Sequence, residues 1–331
     1  MSAPTLSVRD LATHFFTRDG VVKAVDGVSF DVGRGEILGL VGESGSGKTV
    51  CGFSLLGLVD PPGRIVGGQI LFHGENLVTA GEERLRQLRG KRIAMIFQDP
   101  MMTLNPVLRI DTQMVETVLA HDKVSAKAAY ARVRDTLVRV GIASPDARLR
   151  AYPHQFSGGM RQRVAIAIAL LHDPELIIAD EPTTALDVTI QGQILFEVQQ
   201  LCRDTGTALI WITHDLAVVA GLADRVCVMY AGRLVEQGKV DDVLDRPLHP
   251  YTRGLIGSVP SRTARGQKLT QIPGMTPSLL NLSEGCAFRS RCPRATTVCE
   301  TSPPLVELRP GQAARCFHPH LEGADSERAG L

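Results

Sequence analysis

The segment Gly42-Glu43-Ser44-Gly45-Ser46-Gly47-Lys48-Thr49 constrains this chain more than any other. It fits G-x-x-x-x-G-K-[ST], and its surroundings fit too. The apolar run Ile37 to Val41 leads in as a strand, and Thr49 to Leu58 follows with a helical pattern. Glycine lets the main chain curl tightly, so that successive N–H groups point at phosphate oxygens, and a helix N-terminus adds partial positive charge. In such a loop Lys48 reaches the β- and γ-phosphates and Thr49 offers a hydroxyl to Mg²⁺.

The rest of the pattern is α/β. Leu6 to Phe16, Val22 to Val32, Gln69 to Phe72, Arg92 to Phe97, Leu176 to Ala179 and Ala208 to Ile212 read as strands. Arg225 to Tyr230 and Arg233 to Gln237 read as a hairpin, and Val188 to Arg203 as a helix. Strands alternating with helices indicate a sheet that is at least partly parallel. Residues 105–150, rich in Ala, Arg, Val and Leu at helical spacing, read as a helical insertion. Past about residue 260 the periodicity fades into Pro, Cys, Arg and Ser, too little apolar sequence for a large core.

Composition narrows the function. The 36 Lys and Arg against 35 Asp and Glu leave a net charge of +1, which excludes broad electrostatic capture of nucleic acid or anionic lipid. Apolar runs such as Val164 to Leu171 fall well short of the roughly 20 residues that a spanning helix needs. The first residues carry no export pattern, so a cytosolic location is expected.

Two further segments carry chemistry. Leu176 to Ala179 ends in Asp180-Glu181. Behind a phosphate loop, an Asp in this place holds Mg²⁺, and the neighbouring Glu181 can polarise an attacking water, a general-base role worth about 10²–10⁴ in rate. Ser157-Gly158-Gly159-Met160 opens the apolar stretch to Leu171, with Ser157 as the expected N-cap. By spacing alone this is either a helix cap or a second anion site. His214, after the run Leu209 to Ile212, would pass alone for a loop residue, with Asp215 as a helix cap.

The order of the phosphate loop, Gln98, Ser157-Gly158-Gly159, Asp180-Glu181, Ala185-Leu186-Asp187 and His214 resembles the ATPase subunits of ATP-binding cassette transporters over roughly residues 5–260. Phe156 to Arg163, His249-Pro250-Tyr251-Thr252, Asp99-Pro100, Leu104-Asn105-Pro106 and the cysteine-rich tail resemble the dipeptide and oligopeptide importers among them. The resemblance implies an α/β P-loop NTPase cassette with an antiparallel β subdomain and a helical insertion, plus a small cysteine-rich C-terminal extension. The implied ATP-binding domain spans 1–260, with a helical subdomain at about 100–170, an extension over 261–320 and a disordered tail over 321–331.

It further implies two subunits dimerising head to tail around two ATP molecules. Ser157, Gly158, Gly159 and Met160 would face the nucleotide on the partner's phosphate loop, and Asp187 would bridge the dimer. Gln98 would contact Mg²⁺ and the attacking water. His214 would contact the γ-phosphate and orient Glu181. Phe15 would stack on adenine, with Phe16 as the fallback. Partners would be a second ATPase subunit, two integral membrane permease subunits and an extracytoplasmic solute-binding protein, at the cytoplasmic face of the inner membrane. Departures from the general pattern are Phe156 for Leu, Met160 for Gln and Thr49 for Ser; Met160 is typical of importers with an unlike ATPase pair, so a heterodimer is expected. The solute stays open among peptides, nickel, glutathione and sugars. A soluble cassette ATPase of DNA repair or translation would carry two cassettes or a long coiled coil. A phosphate-loop kinase would lack the Ser157-Gly158-Gly159 segment and Glu181.

Four of the seven cysteines, Cys286, Cys292, Cys299 and Cys316, crowd the tail. Four thiolates suit Zn²⁺ or an iron–sulfur cluster, but neither the close pairs of zinc sites nor the common ferredoxin runs occur. Free thiols and disulfides stay open as well. The importer resemblance implies a [4Fe–4S] cluster. Arg289, Arg291 and Arg294 would then offset its charge or else be solvated surface residues. Cys51, Cys202 and Cys227 have no assigned role.

Overall fold

The computed structural model describes residues 3–183, 188–258, 271–280, 282 and 284–321, the side chains of 188–190 excepted. Asp187 and the tail beyond residue 321 therefore lie outside the described residues. The chain divides into two compact units.

The first unit comprises Met1–Leu6, Val32–Ile37 and Phe72–Trp211. It holds the two-residue β5 (Glu75–Asn76) and the strands β6 (Ile93–Ile96), β7 (Leu176–Asp180) and most of β8 (Ala208–Thr213), the last three in the order β8-β7-β6. Strands β6 and β7 run parallel, with Ile93 opposite Leu176 and Ile96 opposite Ala179. Every residue of β7 and β8 is buried, as expected of parallel strands covered on both faces. The helical insertion is present as α3 (Ile110–His121), α4 (Ala126–Arg139), α5 (Pro145–Leu149) and α6 (Gly158–Leu170). Ser125 caps α4 by accepting from the Ala128 N–H, and Ala129, Val133, Thr136 and Leu137 form its buried face. The unit also contains α2 (Glu82–Leu88), a short charged helix with no clear apolar period, and α7 (Val188–Thr205).

The second unit comprises Ser7–Asp31, Leu38–Leu71 and Ile212–Leu331. Strands β1 (Leu6–Thr17) and β2 (Gly20–Val32) flank a two-residue turn, the connection of an antiparallel hairpin, and β4 (Gly63–Phe72) lies on the other side of β1. In the larger sheet β3 (Ile37–Val41) pairs in parallel with β9 (Arg225–Tyr230), which pairs antiparallel with β10 (Arg233–Lys239). Helix α1 (Lys48–Leu55) follows β3, and α8 (Leu216–Leu222), α9 (Val240–Asp245) and α10 (Pro250–Gly257) come later in the same unit.

The cysteine-rich region is more ordered than its composition predicts. Its β11 (Val306–Arg309) and β12 (Gln312–Ala314) form an antiparallel pair, and β12 extends the sheet along β10, with Glu236 opposite Ala314. Phe288 is 2% exposed and joins Val226, Val228, Tyr230 and Tyr251 in one apolar core. Strands of four and three residues are too short for a period of two to register in sequence. Cys51, Cys202 and Cys227 are buried in the cores. No described helix is long and apolar enough to cross a membrane.

Candidate functional site

The phosphate loop connects β3 to α1 within the second unit. Two of its glycines are required by space. A Cβ on Gly42 would stand 2.1 Å from the Met229 carbonyl oxygen, and one on Gly47, whose φ is +100°, would stand 2.1 Å from the Ala24 carbonyl oxygen. The Ser46 N–H donates to the Glu43 carbonyl, and the Gly232 N–H donates to the Ser46 carbonyl, so the loop is pinned to the β9–β10 turn. Lys48 is 4% exposed, and its Nζ donates to the carbonyls of Gly42 at 2.8 Å and Glu43 at 3.0 Å. The buried Ser46 Oγ has no hydrogen-bond partner among the described residues. Ser44, Gly45 and Thr49 face outward. A loop with an inward ammonium, a buried hydroxyl and an exposed crest suits a polyphosphate.

Glu43 is the most heavily anchored loop residue. Its N–H donates to the Tyr251 hydroxyl at 2.9 Å. Its carboxylate receives Arg291 through two nitrogens, at 2.6 and 3.0 Å, and the Thr276 hydroxyl at 2.9 Å. Burial pushes the Glu43 carboxyl up, but the Arg291 and Thr276 hydrogen bonds outweigh it and hold the group below its ordinary value. Arg291 is therefore neither a solvated surface residue nor turned to a cluster's charge: its side chain is 5% exposed and paired with Glu43. Arg289 instead lies 3.7 Å from Glu300, and Arg294 meets His320 Nδ1 at 2.7 Å.

The anchoring elements rest on a buried polar base. Glu236, fully buried, accepts the N–H groups of Leu248 and His249 at 2.8 Å each. His249 Nδ1 in turn accepts the Tyr251 N–H and so caps α10. The Tyr251 ring packs against Tyr230 and Phe288, with centroids 4.6 and 5.4 Å away. Sequence marked His249 to Thr252 by likeness without a role, gave Arg291 to a cluster's charge or to the surface, and missed Thr276 and Tyr230. A buried arginine in a Pro- and Ser-rich stretch leaves no periodic signal.

In the first unit, Asp180 closes β7 at 3% exposure and Glu181 follows it. Glu181 has φ +44°, a left-handed conformation that strains a residue with a Cβ and is found disproportionately at functional positions. Gln98, just past β6, donates from Nε2 to Glu181 Oε2 at 3.4 Å, so two expected catalytic side chains meet. Ser157 caps α6, its hydroxyl accepting from the Met160 N–H at 3.3 Å, with Ser157 and Gly158 exposed at the helix start. In the second unit, His214 is exposed after β8, and Asp215 caps α8 by accepting from the Ala217 N–H. The half-buried Phe15 ring lies where a Cβ on Gly63 would stand, while Phe16 carries the Arg64 guanidinium 4.2 Å from its centroid.

The tail cysteines are gathered but not arranged as a metal cage: among the described residues no group of three or more His, Cys, Asp or Glu side chains is placed to hold a metal. Cys286 donates its N–H to the Cys299 carbonyl at 3.0 Å, and Cys316 Sγ accepts the His318 N–H at 3.3 Å. Burial pushes the Cys316 thiol up to about 12, opposed by the His318 N–H hydrogen bond and aided by the Cys292, Cys286 and Cys299 sulfurs. Four thiols are a donor set that suits a soft metal.

Comparisons with known proteins agree with this geometry. The ABC transporter family model matches residues 25–184, and the model for the C-terminal region of oligopeptide/dipeptide transporters matches residues 235–299. A protein of Sinorhizobium fredii described as a probable peptide ABC transporter ATP-binding protein is 52% identical over 94% of each chain. The oligopeptide transport ATP-binding protein OppD of Escherichia coli is 49% identical over 95% of this chain and 93% of its own. In fold, the dimeric structure of a bacterial ABC transporter cassette superposes with a TM-score of 0.64 at 24% identity, covering 71% of this chain and 98% of that one. The chain belongs to the ATP-binding proteins of ABC transporters, in the branch that carries the oligopeptide/dipeptide transporter C-terminal region.

Proposed function

We propose that this chain binds and hydrolyses ATP as a peripheral subunit of a peptide-type ABC importer, working at the cytoplasmic face of the inner membrane. The observation that carries the reading is the extent of the kinship. Relatives named for peptide and oligopeptide transport align over 94% and 95% of the chain, taking in phosphate loop, acids and extension together.

In this reading the loop N–H groups and Lys48 bind the β- and γ-phosphates, Lys48 exchanging its two carbonyl partners for phosphate oxygens. Thr49, Asp180 and Gln98 would hold Mg²⁺, which would supply neutralisation of the charge building on the phosphates. Glu181 accepts a proton from water as its oxygen bonds to the γ-phosphorus and the bond to the β–γ bridging oxygen breaks, releasing ADP and phosphate. Gln98 positions that water, His214 orients Glu181, and Phe15 stacks on adenine. Ser157, Gly158, Gly159 and Met160 close over the nucleotide of an unlike second ATPase subunit, and Asp187 bridges the pair. ATP binding favours the closed dimer, and this difference in binding drives two permease subunits served by a solute-binding protein.

Cys286, Cys292, Cys299 and Cys316 would hold a [4Fe–4S] cluster, with zinc as the alternative. Such a group would supply a structural staple for the extension. Iron and acid-labile sulfide in anaerobically purified protein support the cluster, and stoichiometric zinc without iron refutes it.

Glu181→Gln tests the hydrolytic reading. It is expected to bind ATP, accumulate a closed dimer and hydrolyse about 10²–10⁴ more slowly. Hydrolysis at the native rate would remove Glu181 from its assigned role.

A further inference from the structure

We propose that Arg291, in the extension, is a positioning residue for ATP: by clamping Glu43 it holds the phosphate loop in the shape that binds nucleotide. The inference rests on the reading of residues 42–49 as the ATP site and assigns part of that site's affinity to a side chain 248 positions away.

Five groups meet at Glu43. The Ser46 N–H donates to its carbonyl and the Thr276 hydroxyl to its carboxylate. The Tyr251 hydroxyl takes its N–H, Lys48 Nζ takes its carbonyl, and Arg291 takes both carboxylate oxygens. With both ends of the peptide and the side chain held, the main chain between Gly42 and Ser44 has little freedom to rotate. That main chain sets the direction of the loop N–H groups and supplies the carbonyls on which the Lys48 ammonium rests.

Arg291 cannot swing away from this task. Its Nε donates to the Pro273 carbonyl at 2.8 Å, and its guanidinium carbon lies 5.8 and 6.0 Å from the Tyr230 and Phe288 ring centroids. A planar guanidinium fixed at its Nε and bidentate on a carboxylate determines orientation as well as distance. A lysine would offer a point charge without the fork. Cys292 follows Arg291 directly, so whatever orders the extension's cysteines also orders the clamp.

The test is a double-mutant cycle on the intact subunit, reading Mg-ATP affinity by titration, KM and kcat for hydrolysis, and the unfolding midpoint. Arg291→Met is expected to weaken ATP binding and raise KM about tenfold, corresponding to about 1.4 kcal/mol, while kcat stays within about twofold. Glu43→Gln keeps the side-chain size and should produce much of the same loss, so it serves where Arg291→Met fails to fold. In the Glu43→Gln background the Arg291 substitution should then change affinity little. Arg291→Lys should fall between Arg291→Met and native. Unchanged ATP affinity in Arg291→Met, or an equal loss with and without the Glu43 carboxylate, overturns the proposal. Native protein that binds no ATP overturns the reading of the loop itself, a result distinct from either.

Discussion

The phosphate loop and the cysteine-rich extension belong to one unit of the molecule and are built by opposite means. The loop is a main-chain device. Eight consecutive residues supply it, and Gly42 and Gly47 are fixed by carbonyl oxygens that leave no room for a Cβ. The extension is a side-chain device. Phe288, Arg291 and Thr276 reach residues far away in sequence, and its two short strands borrow β10 for a partner. Local chemistry can thus be read from spacing, whereas the support that holds it in place is written in long-range contacts.

Truncating the apolar anchor should break the comparison most strongly. Phe288→Ala removes a ring packed on Tyr230, Tyr251 and His249, and is expected to cost about 3–5 kcal/mol in chemical denaturation. If the extension were a dispensable appendage, the loss would stay below about 1 kcal/mol.

Gly42→Ala strikes the other device. Its new methyl would meet main chain at 2.1 Å, so the loop must shift. The expected cost is about 1–3 kcal/mol of stability. ATP affinity should fall more sharply than after Phe288→Ala, as equilibrium titration will show.

The smallest effect sharpens the link between the two devices. Burial holds the His249 imidazole at about 3, against 6.5 for the free group. An unfolded chain therefore takes up a proton below about pH 6.5 that the native chain refuses. Stability present above that pH is lost as pH falls toward 3, by on the order of 1 kcal/mol between pH 7 and 5.5. Unfolding curves of native protein and His249→Gln across that window should differ in slope, the variant being flatter.

Much of the fold around the phosphate loop and the helix caps was legible because its signals are local. The strand Ile37–Val41 stands as read, and Ser157 and Asp215 are the helix caps their neighbours implied. Less was legible where elements are short or polar. Helix α2 has two buried residues in seven, and β12 spans three residues, so neither carries enough turns or alternations to show a period. Arg291 was misread because a buried cation is identified by its partner, and Glu43 lies inside a motif whose second position accepts any residue.

Peptide uptake by vesicles containing the purified assembly decides whether this chain powers import. Uptake is expected to require Mg-ATP on the face bearing this chain and to stop when Glu181 is replaced by Gln, although ATP still binds. Uptake that continues with Glu181→Gln in place, or an ATPase that purifies without membrane subunits and supports no uptake, would contradict it.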